Sequence, residues 1–183
     1  MHAIASTVME AYEIVLLGSW SVKKRGLIEE FTEARTFTKH EDESWTRIVI
    51  EDKPILLCIK DTTGTEYHVS QRDEYMKNGQ GFILVYSITQ KSTLTGLEHL
   101  RKHISVVKGL DLEEIPLVLV GNECHKEGER EVGREEGEAL AKKWGCPFFE
   151  VSTKTGGKVD EAFMNVAHQV HQMQKQKNLS KYL

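Results

Sequence analysis

The chain has 183 residues, 39% hydrophobic and 28% charged, with only three prolines, a composition that buries one full core and excludes a disordered chain. A net charge of -4 with a pI near 6.1 excludes general binding to nucleic acid or anionic membrane, both of which need a basic surface. Cys58, Cys124 and Cys146 are too few and too scattered for a disulfide framework and fit a reducing, cytoplasmic setting.

The opening "MHAIASTVMEAYEIVLLG" has one short apolar run, Ile14 to Leu17, behind Glu10 and Glu13, so no signal peptide is expected. No stretch approaches the roughly 20 apolar residues that span a bilayer. "KNLSKYL" has no cysteine to prenylate and "MHAI" no glycine to myristoylate, so no lipid anchor motif is expected. Residues 1–11 read as an extension, 12–175 as one folded domain and 176–183 as a short polar tail.

In chain order, β-rich apolar runs stand at "YEIVLLG", "WTRIVIED", "ILLCIKD", "GFILVYSI", "PLVLVGN" and "PFFEVST". Helical stretches separate most of them, which implies an α/β fold with a mostly parallel sheet covered on both faces. Between the second and third runs only Lys53 and Pro54 intervene, so that pair is expected as an antiparallel hairpin. Helices are predicted at Lys24 to Ala34, Ser92 to Lys108, Arg134 to Trp144 and Val159 to Gln174. The third carries Ala139, Leu140 and Trp144 at helical spacing and stops at Gly145; the last has Val159, Ala162, Phe163, Val166 and Val170 on one stripe. "NECHKEGEREVGREEGE" reads as a solvated charged loop.

The first run ends in "GSWSVKKRG". A strand, a glycine, a loop, a lysine and a helix match the outline of the phosphate-binding motif G-x-x-x-x-G-K-[ST], with Gly18 opening the loop and Lys24 at the lysine. Lys23 stands at the second glycine, Arg25 at the Mg²⁺-binding hydroxyl and Trp20 in the loop centre. After the third run, "KDTTGTEY" offers Asp61, a carboxylate suited to reaching Mg²⁺, and Gly64, whose N–H suits a γ-phosphate. The fifth and sixth runs end in Gly121-Asn122 and Ser152-Thr153-Lys154, at the strand ends where open α/β sheets bind ligands. His99 with His103 and His168 with His171 stand one turn apart, but without a third ligand each pair reads as solvated side chains, and no metal site is expected.

The order and spacing of these motifs resemble the Ras branch of the small GTPases, from about Tyr12 to Gln172. "QRDEYMKNGQGFILVYSIT" is similar to the second switch helix and fourth strand of Ras and Rap proteins, and "IPLVLVGNECH" to their guanine-recognition strand. The resemblance implies a P-loop fold with a six-stranded sheet, one strand antiparallel, and GTP or GDP as ligand. It implies a nucleotide site built from Gly18, Lys23, Lys24, Arg25, Asp61, Gly64, Asn122, Ser152, Thr153 and Lys154. An effector or regulator protein would bind the switch-like surface through Thr38, Trp45, Tyr67, Arg72 and Tyr75, within 36–45 and 62–75.

Several positions depart from the family. Arg25 has no lone pair for a metal, and Lys23 brings a side chain where a glycine allows close approach. His125 replaces the Asp that accepts two hydrogen bonds from guanine, and Glu123 replaces the neighbouring Lys. Thr65 stands at the water-positioning Gln and is too short for that role; Trp20 stands at a small-residue position. These departures imply a pseudo-GTPase without Mg²⁺, acting by protein contact. Two alternatives stay open: a divergent GTPase or NTPase with relaxed base choice, and a constitutively loaded scaffold in which Arg25 substitutes for the metal. Lys23, Lys24 and Arg25 form either a cationic cluster that holds phosphate by charge alone or a solvated turn.

Overall fold

The computed structural model describes residues 9–33, 35, 37–40, 42–65 and 68–181. Strands β1 (Glu10–Leu17), β2 (Phe37–His40), β3 (Glu43–Ile50), β4 (Lys53–Asp61), β5 (Gly81–Ser87), β6 (Leu117–Asn122) and β7 (Phe148–Glu150) form one sheet in the order β2-β3-β4-β1-β5-β6-β7. β3 runs antiparallel to β2 and β4, and the other neighbouring pairs are parallel. The α/β class and the single antiparallel strand agree with expectation. The sheet has seven strands and not six because "FTKH" adds a short edge strand on β3, too polar to be read as one.

The helices are α1 (Lys24–Glu33), α2 (Val69–Asn78), α3 (Lys91–Thr95), α4 (Leu97–Lys108), α5 (Arg134–Trp144) and α6 (Val159–Ser180). Two cores result, one on each face of the sheet. Leu27, Ile28 and Phe31 of α1 and Val159, Phe163, Val166 and Val170 of α6 cover one face; Met76, Leu97, Ile104, Ala141 and Trp144 cover the other. Gly96 divides the stretch read as one helix into α3 and α4. On α5 the buried stripe is Gly137, Ala141 and Trp144, and Ala139 faces solvent. Gly137 belongs there because a Cβ would lie 2.4 Å from the Tyr86 hydroxyl. The last helix runs past Gln174 to Ser180, so most of the segment read as a tail is helical.

His171 is buried, contrary to the solvated reading. The Tyr12 hydroxyl donates to Glu10 Oε2 at 2.7 Å, so its oxygen accepts from His171 Nδ1, also at 2.7 Å. The charged segment after β6 is likewise held to the core. Val132 is fully buried, and Arg130 binds the carboxylate of Glu150 through both Nη atoms at 2.7 and 3.1 Å. The Glu150 and Glu127 carboxylates beside it push the Arg130 guanidinium further toward its charged form.

The β3–β4 hairpin turns at Glu51 and Asp52, both with positive φ (49° and 61°), while Lys53 and Pro54 lie inside β4. A two-residue turn of this kind matches the right-handed twist of the strands, and glycine is better suited to it than aspartate. Asp52→Gly is therefore expected to stabilise the protein by about 0.5–1 kcal/mol. Urea unfolding checks this through a higher midpoint at unchanged slope.

Candidate functional site

Because β1, β4, β5, β6 and β7 are mutually parallel, their C-terminal ends share one edge of the sheet, and the loops that follow them meet there. Gly18 ends β1 under tight constraint: a Cβ would stand 2.3 Å from the Val85 carbonyl oxygen of β5. That close approach explains the glycine without any ligand.

The loop from Gly18 to Lys23 folds onto itself. Val22 N–H donates to the Ser19 carbonyl at 3.1 Å, and Lys24 N–H to the Val22 carbonyl at 2.8 Å. Val22 is buried, while Trp20 stands 72% exposed. Lys24 is fully buried, and its ammonium donates to the carbonyls of Gly18 (3.1 Å) and Ser19 (2.9 Å). Ser21 reaches across to Gln90 Oε1 at 2.8 Å.

The three neighbouring cations diverge. Lys23, largely exposed, pairs with Glu123 Oε1 at 3.3 Å; Lys24 turns into its own loop; Arg25 Nε pairs with Asp61 Oδ2 at 3.0 Å. They do not form the joint phosphate-holding cluster considered from sequence, because each is drawn to a different acceptor. Asp61 is fully engaged, its Oδ1 accepting from Thr63 N (2.9 Å) and Thr63 Oγ1 (2.5 Å). Gly64 has φ +88°, a conformation that favours glycine. Thr65 is buried, its hydroxyl donating to the Thr62 carbonyl at 2.8 Å. Arg25, Thr63, Gly64 and Thr65 line an open cleft of about 390 Å³ with Asp42 and Gln71.

On the far side, Asn122 is buried and its Oδ1 accepts from Glu123 N–H at 2.7 Å. Glu123 itself is buried with φ +66° and accepts from Ser87 Oγ at 2.8 Å while pairing with Lys126 at 2.8 Å and Lys23 at 3.3 Å. Burial pushes its carboxyl up, but the hydrogen bonds from Lys126, Ser87 and Lys23 outweigh burial and hold it below the ordinary value. Sequence reasoning saw Glu123 only as a replaced lysine and missed it as the bridge between the first loop and the β6 end. Lys23, Ser87 and Lys126 stand far apart in sequence and carry no shared pattern.

Ser152, fully buried, contacts His125 Nδ1 at 2.7 Å and accepts from Lys154 N (3.2 Å) and Thr155 N (3.3 Å). With both acceptor positions of the hydroxyl used, its one proton goes to His125, which makes Nδ1 the acceptor and leaves the ring proton on Nε2. Thr153 lies beside Gly26 of α1, and the Lys154 side chain is exposed.

The residues expected to meet a partner spread along the other end of this edge. Thr38 lies exposed in β2, paired with Trp45 of β3. Trp45 Nε1 donates to Glu43 Oε2 at 3.0 Å, and Glu43 also takes the Lys60 ammonium, which lies 5.2 Å from the Tyr75 ring centroid. Hydrogen bonds from Lys60 and Trp45 hold the Glu43 carboxyl below its ordinary value. Arg72, on α2, has a buried Nε without a hydrogen-bond partner among the described residues. Tyr67 and Thr36 lie outside the described residues, as does the side chain of Phe37. No group of three or more metal-ligating side chains occurs among the described residues, and His103 Nε2 is instead within 2.7 Å of Asp73 Oδ1.

The fold, the strand ends and the loops at them all point one way, and the model of the Ras family matches residues 13–172, nearly the whole domain. The chain belongs to the Ras family. It is a small GTPase-like P-loop protein, and members of this family generally bind GTP or GDP with Mg²⁺. Several side chains at the corresponding strand ends are engaged with one another. Asp61 is occupied by Arg25 and Thr63, and a dication brought to it would meet a guanidinium. Two loop N–H groups are spent on loop carbonyls. His125 Nδ1 is engaged with Ser152 Oγ at 2.7 Å.

The Glu123 bridge has a pH signature. Its folded-state pKa is depressed, so its contribution to stability is present above the unfolded value near 4.5 and is lost as pH falls through the folded value. Glu123→Gln is expected to cost most near neutral pH, by about 1–2 kcal/mol, with the difference from wild type shrinking as pH falls below the unfolded value. Urea titrations of both proteins across that range check it.

Proposed function

We propose that this Ras-family chain is a pseudo-GTPase, with weak or absent Mg²⁺-dependent binding and hydrolysis of GTP, which acts in signalling by contact with an effector or regulator protein. The observation that carries the reading is the Arg25–Asp61 pair: a tethered cation sits on the carboxylate from which the family reaches its metal. At 52% exposure Arg25 gains little from the pair, about 1 kcal/mol at most, so the pair matters for what it excludes. Losing a hydrogen bond to a charged group costs about 1.5–3 kcal/mol, and about 1.4 kcal/mol is tenfold in affinity. Changes at the metal, the loop and the base therefore remove several decades of nucleotide affinity.

The partner surface in this reading comprises Thr38, Trp45, Arg72 and Tyr75, with Tyr67 from the same stretch of sequence. Edge strand β2 supports it, since one side of its backbone pairs with no strand among the described residues and can extend the sheet with a strand from another chain. No helix among the described residues is long and apolar enough to cross a membrane, and the reading places the protein in the cytoplasm.

Thermal unfolding with GTP, GDP or ATP, each with Mg²⁺ and with EDTA, is expected to leave the midpoint unchanged. The triple variant Lys23→Gly, Arg25→Ser, His125→Asp is expected to gain a Mg²⁺-dependent shift with guanine nucleotides. A wild-type midpoint that rises with Mg·GTP, together with phosphate release, would overturn the proposal in favour of a divergent GTPase. Stabilisation by nucleotide in EDTA would favour a loaded scaffold with Arg25 in the metal's role.

A further inference from the structure

Among the described residues, no helix covers the middle of the outer face of β3 and β4. Along β3, Ser44, Thr46, Ile48 and Ile50 are buried, which leaves Glu43, Trp45, Arg47 and Val49 on the opposite face. Their cross-strand partners on β4 are Lys60, Cys58, Leu56 and Pro54, and directly opposed residues share a face. The core beneath α2, α4 and α5 takes its strand residues from β1, β5 and β6 and none from β3 or β4. The middle of the uncovered face is apolar: Val49 is 59% exposed, Trp45 and Leu56 are half-buried and Pro54 is exposed.

Charge on this face is unevenly settled. Glu43 is satisfied by Trp45 Nε1 and by Lys60. Arg47, exposed between Trp45 and Val49, makes no hydrogen bond or ion pair with any described residue. Covering the apolar strip would take this guanidinium out of water, and a covered charge is tolerated only when paired. A carboxylate fits the guanidinium fork through two parallel hydrogen bonds.

We infer that the face formed by Trp45, Arg47, Val49 and Leu56 docks an extended acidic segment of a partner protein. Same-face residues of a strand lie about 6.5–7 Å apart, so Trp45, Arg47 and Val49 match three successive same-face side chains of such a segment. The required pattern is aliphatic, acidic, aliphatic at alternate positions, with the carboxylate on Arg47. A basic or neutral central residue leaves Arg47 covered and unpaired. This inference rests on the reading that the chain acts by protein contact and specifies the chemistry of the partner.

The test uses the full chain, isotope-labelled for amide NMR, and two synthetic peptides that alternate valine with serine and differ only in a central Glu or Lys on the valine face. The Glu peptide is expected to shift amides within 43–49 and 54–60, and the Lys peptide to bind about tenfold more weakly. Arg47→Glu is expected to reverse the preference, with the remaining amide spectrum unchanged as the check that it folds. Equal binding of the two peptides, no shift with either, shifts confined to another surface such as the groove between α6 and residues 110–116, or an unchanged preference in Arg47→Glu would each overturn the inference. Tight Mg·GTP binding would overturn the pseudo-GTPase proposal while leaving the Glu-over-Lys preference standing, so the two failures are distinguishable.

Discussion

Strand β1 lies between β4 and β5, parallel to both, and its close approach to β5 is what the rest of the site depends on. A side chain at Gly18, the residue after β1, would strike the Val85 carbonyl of β5. The parallel register then carries Asp61, Ser87 and Asn122 to the same edge. The Ras-family framework thus rests on this close backbone approach together with the two side-chain cores on the faces of the sheet.

Within that framework the loops satisfy their charges internally. Arg25 takes Asp61, Lys23 takes Glu123, and Lys24 takes the carbonyls of its own loop. Each pairing offsets the desolvation of a group at a crowded edge, where a buried charge without a partner would be costly. At Asp61 the neighbouring cation is a tethered guanidinium, part of the chain itself.

The surface follows a different logic. Five strands have a neighbouring strand on both sides, whereas β2 and β7 stand at the two edges, and among the described residues no helix covers the middle of the outer face of β3 and β4. Polar groups at one end of that face are mutually satisfied, and Arg47 near its centre is not. An edge strand and an exposed guanidinium thus lie at one end of the sheet, beside the internally paired loops at its edge.

Residue types and spacing were enough to read the α/β class, the hairpin between β3 and β4, four of the helical regions and the positions of Gly18, Lys24, Asp61, Asn122 and Ser152, since these rest on local periodicity and turn chemistry. The short strand β2 was not legible, because "FTKH" is polar and becomes a strand only by pairing with β3. The fate of the "KKR" cations was equally hidden. Adjacent in sequence, they look like one cluster; in the fold Asp61, Glu123 and the loop carbonyls, from three separate segments, draw them apart. Burial of His171 against Tyr12 and of Glu123 against Ser87 likewise depends on partners 159 and 36 residues away. Local pattern determined which elements form, because helices and strands are set by neighbouring residues. Only the tertiary structure decided which charge meets which, because electrostatic pairing is set by distance in space.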